Sequence, residues 1–214
     1  MNISDLTDEM ISKYFFMLTE ARQKKIAALS DVKQRKIIFC SEILARKCLS
    51  ELCDSPEFSF NLLCNPNGKS IVGNFNCEIS IVNFGDIVAC AVSHDYIGIG
   101  INGILPFSFL DAQNNFSDSE IRIIFAESHC SFSEIVKLNR CDETSVKQKY
   151  SLFLSLKDAY YYSGSREIRT DNKNICFSFD GVNLYCADKN ADIKTAYIDN
   201  KHNISVAVIE RKKI

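Results

Sequence analysis

The spacing of apolar residues changes from a helical to a strand period twice along the chain, and this repeated order constrains the fold most. In the first half, Thr7 followed by Asp8 and Glu9 predicts a helix start, and the amphipathic run continues to about Leu29. A second helix is predicted from near Asp31 to about Cys53, where apolar side chains recur at helical spacing. The predicted strands that follow are residues 58–64, 77–82, 87–93 and 97–101, with turns at 65–69 and 83–86.

The second half repeats this order of elements. Ser117-Asp118-Ser119-Glu120 has the form of a capping box, in which the serine hydroxyl and the glutamate bond to exposed amides at a helix start. A long helix is predicted over residues 144–162, ending at Ser163-Gly164. Strands are predicted at 175–179, 183–186, 193–198 and 204–209. Each half therefore predicts helices packed on an antiparallel sheet, an α+β arrangement.

Composition narrows the class of protein and its partners. The net charge of −2 gives no basic field, so nucleic acid is not expected as the main partner. The N-terminal sequence does not have the basic, apolar pattern of a leader, and no uncharged apolar run is long enough to cross a bilayer. We therefore expect a cytoplasmic protein with no membrane partner.

The cysteines and histidines do not form a metal-binding pattern. The ten cysteines are scattered with no Cys-x-x-Cys pair, and most lie in apolar segments. They are interpreted as free thiols that act as small buried hydrophobic residues in a reducing compartment. His94, His129 and His202 do not cluster with them in the sequence, so a zinc site is not predicted.

A run of alternating glycines carries the most specific functional signal. Gly98-Ile99-Gly100-Ile101-Asn102 follows a strand-like segment and has the frame of a metal-binding Gly-Ile-Asp-Ile-Glu motif without its two acids. Four other segments occur in the matching order: Gly68-Lys69-Ser70, Gly85 to Ser93, Phe116 to Glu120, and Leu156-Lys157-Asp158-Ala159. With its order of elements and these segments, the chain resembles a 4'-phosphopantetheinyl transferase of the surfactin-synthetase type, and the resemblance covers nearly the whole chain.

The resemblance implies a fold and a reaction. It implies two similar α/β subdomains in pseudo-twofold relation, residues 1–102 and 103–214, with coenzyme A and Mg²⁺ in the cleft between them. The family moves phosphopantetheine from coenzyme A to a serine of an acyl or peptidyl carrier protein. A hydroxyl attacks the β-phosphorus of the pyrophosphate, which requires charge neutralisation, positioning and a base. The family pattern also favours a monomer.

The resemblance implies several coenzyme A contacts. Gly68 and Lys69 match a family Gly-Lys whose lysine meets a phosphate. Other family phosphate ligands fall near basic residues of the two N-terminal helices, and a family histidine on the pyrophosphate falls on an asparagine. These positions are Arg35 or Lys36, Arg22, Lys25, and Asn83. A solvated helix face is an equally good explanation of the basic residues.

The metal site implied by the resemblance is degenerate. The first metal aspartate corresponds to Gly100 and the second acid to Asn102. The third acid is retained as Asp158, beside Lys157, and these two are the catalytic candidates; without a site they would be an ordinary exposed pair on a helix. One carboxylate where three are usual weakens the electrostatic basis of Mg²⁺ binding.

Three hypotheses follow. The chain is a transferase-family member with lost or impaired catalysis, or a working transferase whose Mg²⁺ site uses Asp158 with Asp86 or Asp95. Alternatively it is an interaction protein that docks a partner through the apolar segment 104–109, although that segment is also explained as core.

Overall fold

The computed structural model describes residues 1–64, 70–126, 128, 143–163, 175–179, 184–187, 191–199 and 202–209. The chain divides into two compact units, Met1–Ile97 and Gly98–Ile214. In the first unit the elements are α1 (Asp8–Tyr14), α2 (Glu20–Ala27), α3 (Val32–Cys53), β1 (Leu62–Cys64), β2 (Ser70–Val72), β3 (Glu78–Phe84) and β4 (Ile87–Ser93). From the unit boundary onward they are β5 (Tyr96–Gly103), α4 (Phe109–Asn115), α5 (Asp118–Phe125), α6 (Thr144–Ser163), β6 (Phe177–Phe179), β7 (Leu184–Cys186), β8 (Ala191–Asp199) and β9 (His202–Ile209).

The first predicted helix is two helices, which corrects the expectation of one run to about Leu29. Thr7 caps α1, and Thr19 in an extended conformation caps α2 by accepting from the Arg22 amide. The Gln23 side-chain amide donates to the carbonyl oxygens of Phe15 and Leu18, which lie outside both α-helices. The Thr19 hydroxyl accepts from an exposed amide at a new helix start, and this competes with continuation of the earlier helix. The helix is therefore interrupted before Thr19.

The second predicted helix is confirmed as α3. The Asp31 carboxylate accepts from the amides of Lys33 and Gln34, and Asp54 ends the helix in the left-handed region at φ 46°. Its buried face includes Cys40, Ala45 and Leu49. Since α3 packs along β4, this face forms much of the core of the first unit.

The strands of the first unit follow the predictions except that β1 is shorter than expected and β2 was not predicted. β3 and β4 form an antiparallel hairpin whose register runs from Glu78 opposite Ser93 to Phe84 opposite Ile87. Gly85 occupies the turn at φ 59°, a conformation that favours glycine. The strand predicted at 58–64 is shorter, since residues 57–59 form a 3₁₀ turn and only Leu62–Cys64 pairs with β2. The turn predicted at 65–69 lies outside the described residues.

The second unit builds its core between α6 and the strands. The sheet order is β5-β9-β8, and β6 pairs separately with β7 in antiparallel register. α6 packs on β9, and its buried Phe153 and Leu156 join Phe116, Ile124 and Phe177 in one cluster. The capping box at Ser117 and Glu120 is confirmed at the start of α5. Sequence reasoning missed α4, although Ser108 and Asp111 form a second capping box there.

Both units therefore mix helices with antiparallel strand pairs, which agrees with the predicted α+β class. The unit boundary falls inside β5, and the predicted boundary after residue 102 stays a prediction. No helix formed by the described residues is long and apolar enough to cross a membrane. Seven described cysteines are free thiols: Cys40, Cys48, Cys53, Cys77, Cys90, Cys176 and Cys186. Cys130 and Cys141 lie outside the described residues.

A buried charge cluster ties α3 to the neighbouring chain in the first unit. Glu42 and Arg46 are 3% and 2% exposed, and two Arg46 nitrogens contact the same Glu42 carboxylate oxygen at 2.8 and 3.1 Å. Arg46 Nη1 also donates to the carbonyl oxygens of Glu57 and Phe60, both at 3.1 Å. Arg22 reaches the second Glu42 oxygen at 3.1 Å. Arg46 thus satisfies three buried acceptors that no apolar side chain can serve.

Replacing Arg46 with Met is expected to lower the free energy of unfolding by about 3 kcal/mol. This is the lower end of the range for opening a buried ion pair, because Arg22 still contacts Glu42. Urea unfolding measures the change. The control is Lys24→Met, since the Lys24–Glu20 pair is 75% and 80% exposed and its loss should leave the midpoint unchanged. Equal midpoints for the two variants would contradict the assignment.

Candidate functional site

The backbone of β5 lies directly against the backbone of α6 at two glycines. A Cβ placed on Gly98 would lie 2.0 Å from the Ala159 carbonyl oxygen. A Cβ placed on Gly100 would lie 2.1 Å from the Ser155 carbonyl oxygen and 2.9 Å from the Asp158 Cβ. These atoms belong to a helix backbone that cannot move aside alone, so only glycine fits. Position 100, which the resemblance assigns to the first metal aspartate, therefore has no room for a side chain.

This close approach places Asn102 beside Asp158. The Asn102 side-chain amide donates to Asp158 Oδ2 at 2.8 Å. Burial raises the pKa of the Asp158 carboxyl, and the hydrogen bond from Asn102 lowers it; burial has the larger effect. Two of the residues predicted for the metal site, Asn102 and Asp158, are thus in direct contact.

Two residues that sequence reasoning missed hold Asn102 in place. The Ser151 hydroxyl donates to the Asn102 carbonyl oxygen at 3.1 Å. Ser151 lies about two helical turns before Asp158 on α6. The amide of Asn203 on β9 donates to that hydroxyl at 2.9 Å, and Asn203 is fully buried. Ser151 lies seven residues before Asp158, a helical spacing that could have shown it; no signal in the sequence marks Asn203.

Lys157 points into the core, although it is adjacent to Asp158 in sequence. Its Nζ lies 2.8 Å from Glu120 Oε2 and 2.6 Å from the Ile175 carbonyl oxygen, and it is 1% exposed. The other Glu120 oxygen accepts from the Phe177 amide at 3.0 Å. The interpretation of Lys157 and Asp158 as an exposed pair is therefore wrong, while a catalytic role for either residue stays a prediction.

The candidate phosphate ligands do not form one cluster within the described residues. Arg22 is paired with Glu42, and Lys25 is exposed on α2. Arg35 and Lys36 line a common cavity, where Lys36 Nζ donates to the Leu6 carbonyl oxygen at 2.9 Å. Gly68 and Lys69 lie outside the described residues.

The other predicted site residues of the first unit lie on or near the β3–β4 hairpin. Asn83 is exposed on β3 opposite Val88. Asp86, one candidate replacement ligand, forms an ion pair with Lys33 at 2.7 Å. The backbone amide of Asp95, the other candidate, donates to the Ser93 hydroxyl at 3.0 Å. Asp86 is thus engaged in a surface ion pair.

The donor set at Asn102 and Asp158 does not fit Mg²⁺. This ion takes near-octahedral oxygen ligands, with carboxylates to balance its charge. Asp158 supplies one carboxylate, Asn102 directs its amide nitrogen at that carboxylate, and Gly100 supplies nothing. In the part of the chain that the structure describes, no group of three or more His, Cys, Asp or Glu side chains is placed to hold a metal ion.

The two phenylalanines of the apolar segment 104–109 lie in the core, while the rest of the segment is half-buried or exposed. Phe107 and Phe109 are each 7% exposed, and Phe107 stacks on Tyr150 with ring centroids 3.8 Å apart. Leu105 is the exposed large side chain of the segment. The aromatic residues thus serve packing in the second unit.

No protein-family model matches the chain, and no curated protein sequence matches it. The resemblance to phosphopantetheinyl transferases therefore stays a prediction that rests on the motifs.

Substitution of Gly100 by Ala is expected to destabilise the protein by about 3 kcal/mol, because the added Cβ meets the α6 backbone. The control is Gly73→Ala, where the added Cβ meets the ends of the Leu63 and Asn61 side chains at 3.1 and 3.2 Å, and these can shift. Urea midpoints measure both changes. A Gly100→Ala variant as stable as the original chain would show that β5 can move away from α6.

Asp158→Asn keeps the shape and an acceptor for Asn102 but removes the charge. The folded pKa of Asp158 lies above its ordinary value of 3.8, so between these two values the folded state binds more protons than the unfolded chain. Stability is therefore lost as pH rises through this window. The variant should be more stable than the original chain at about pH 7, and the gap should close towards about pH 4. Urea unfolding at several pH values tests this, and a less stable variant at neutral pH would contradict it.

Proposed function

We propose that the chain is a cytoplasmic, monomeric member of the 4'-phosphopantetheinyl transferase family whose catalysis is lost or strongly impaired. The observation that carries the proposal is the contact of Asn102 with Asp158 beside a sterically closed Gly100. Three positions that the resemblance assigns to the metal site meet at one place, and they supply one carboxylate. The proposal includes two similar subdomains in pseudo-twofold relation, residues 1–102 and 103–214.

The chemistry explains why these replacements matter. Attack on the β-phosphorus of coenzyme A builds negative charge on the pyrophosphate, which must be balanced by cations held in advance. Loss of one such contact commonly lowers the rate by about a hundredfold or more. Gly100 cannot regain an acid without displacing α6, and burial of Asp158 raises its pKa, because burial disfavours the charged form. Both features weaken metal-assisted transfer.

The buried Glu120–Lys157 pair supports a positioning role for Lys157. The pair anchors α6 to α5 and to residues 175–177, and Asp158 is the residue after Lys157 on that helix. Lys157 thus sets the place of Asp158 through the helix backbone. Retained partners under this proposal are coenzyme A, bound through Gly68, Lys69 and the N-terminal cations, and an acyl or peptidyl carrier protein.

Thermal unfolding with coenzyme A, with and without Mg²⁺, tests the proposal. Coenzyme A should raise the melting temperature by mass action, and Mg²⁺ should add little to the shift. A transfer assay with apo carrier proteins should show no product. Mg²⁺-dependent product that disappears in Asp158→Ala would overturn the loss of catalysis and establish a working transferase.

Lys69→Ala should weaken coenzyme A binding by about tenfold, since a charge-assisted contact to a phosphate is lost. Lys47→Ala is the matched control, because Lys47 is an exposed lysine of α3 and the charge change is the same. Calorimetric titration separates the two variants. Unchanged affinity in Lys69→Ala would remove the phosphate assignment, and no coenzyme A binding by the original chain would overturn the proposed ligand.

A further inference from the structure

A cavity of about 550 Å³ lies among α1, α2 and the start of α3 in the first unit. This is the size range of small-molecule sites, which are mostly apolar with a few polar groups that orient the ligand. Its walls follow that pattern: they are mainly aliphatic and aromatic, with three charged side chains. The lining residues are Asp8, Ile11, Phe15, Ile26, Ala27, Val32, Arg35, Lys36 and Phe39.

One guanidinium nitrogen of this cavity lacks an acceptor. Arg35 Nε is buried and has no hydrogen-bond partner among the described residues. An arginine Nε and its neighbouring Nη present two parallel N–H groups, which match the two oxygens of a carboxylate. A buried donor without an acceptor is unfavourable, and an oxyanion in the cavity would satisfy it.

The charges of the lining favour a single negative charge on the ligand. Arg35 and Lys36 are cations, and Asp8 is an acid on the same wall. Lys36 Nζ already donates to the Leu6 carbonyl oxygen, which holds its charge near Arg35. The three groups sum to one positive charge, so a monoanion is balanced and a phosphate dianion is repelled by Asp8.

The rest of the wall requires an apolar body. Phe15, Ile26 and Phe39 offer aromatic and aliphatic surface and no further hydrogen-bonding side chain. We infer that this cavity binds an amphipathic monocarboxylate, with the carboxylate on Arg35 and the hydrocarbon against these three side chains. This assignment of Arg35 and Lys36 is an alternative to the phosphate contacts that the resemblance implies for them, and it depends neither on coenzyme A binding nor on transferase activity.

Calorimetric titration of the full chain with octanoate tests the site, with 1-octanol and acetate as matched probes. Octanoate should bind. 1-Octanol should bind more weakly because it lacks the charge, and acetate should bind more weakly because it lacks the apolar body. Arg35→Gln should weaken octanoate binding by about tenfold or more, as expected for loss of a charge-assisted pair. Lys47→Gln, an exposed lysine on the same helix, should leave it unchanged. Equal binding of octanoate and octanol, or no octanoate binding, would overturn the inference.

A second variant tests the cavity without removing its charges. Ala27 lines the cavity from an exposed position at the end of α2, so Ala27→Phe should fill the space and preserve the fold. Octanoate binding should be lost with an unchanged melting temperature. Octanoate binding that survives in Ala27→Phe would place the ligand elsewhere. Competition by coenzyme A would assign the cavity to the nucleotide and overturn the monocarboxylate, whereas independent binding of both ligands supports it.

Discussion

The approach of β5 to α6 depends on two positions without side chains, because a Cβ at Gly98 or Gly100 would enter the helix backbone. This distance is short enough for Asn102 and Asp158 to bond directly. It also removes the volume that a carboxylate at position 100 would need. Packing and chemistry are therefore linked: the same contact that joins strand to helix excludes the first acid of the motif that the sequence resembles.

Around this contact, polar groups hydrogen-bond to one another in the interior, although Asn203 Oδ1 has no partner among the described residues. Ser151 and Asn203 connect the Asn102 carbonyl to β9, and Glu120 connects the start of α5 to Lys157 and to the Phe177 amide. Glu120 also closes the capping box of α5. Because the side chains of Ser151, Asn203, Glu120 and Lys157 are buried, loss of one partner would leave another unsatisfied. This network holds the site in place, and within it the Asp158 carboxyl accepts a hydrogen bond from Asn102.

Three arginines of the first unit differ in their contacts, and this difference separates structural from ligand-binding cations. Arg46 is surrounded by acceptors and binds Glu42 and two carbonyl oxygens. Arg22 is engaged by the same glutamate. Arg35, one turn into α3, faces a cavity with its Nε unsatisfied. A cation that already has its acceptors stabilises the fold, whereas one that lacks them next to open space is suited to a ligand.

The sequence by itself determined most of the order of helices and strands and the helix starts at Asp31 and Ser117. These features depend on local periods and on residue types at short spacing, which the chain displays directly. It did not reveal the break before Thr19 or the helix that starts at Ser108, where short-range caps compete with an apolar pattern. Only the tertiary structure decided that Lys157 is buried on Glu120, that Asn203 supports Asn102, and that position 100 has no space. Those facts depend on contacts between residues 37 or more positions apart, and hydrophobic periodicity carries no information about which distant backbone will pack against a given glycine.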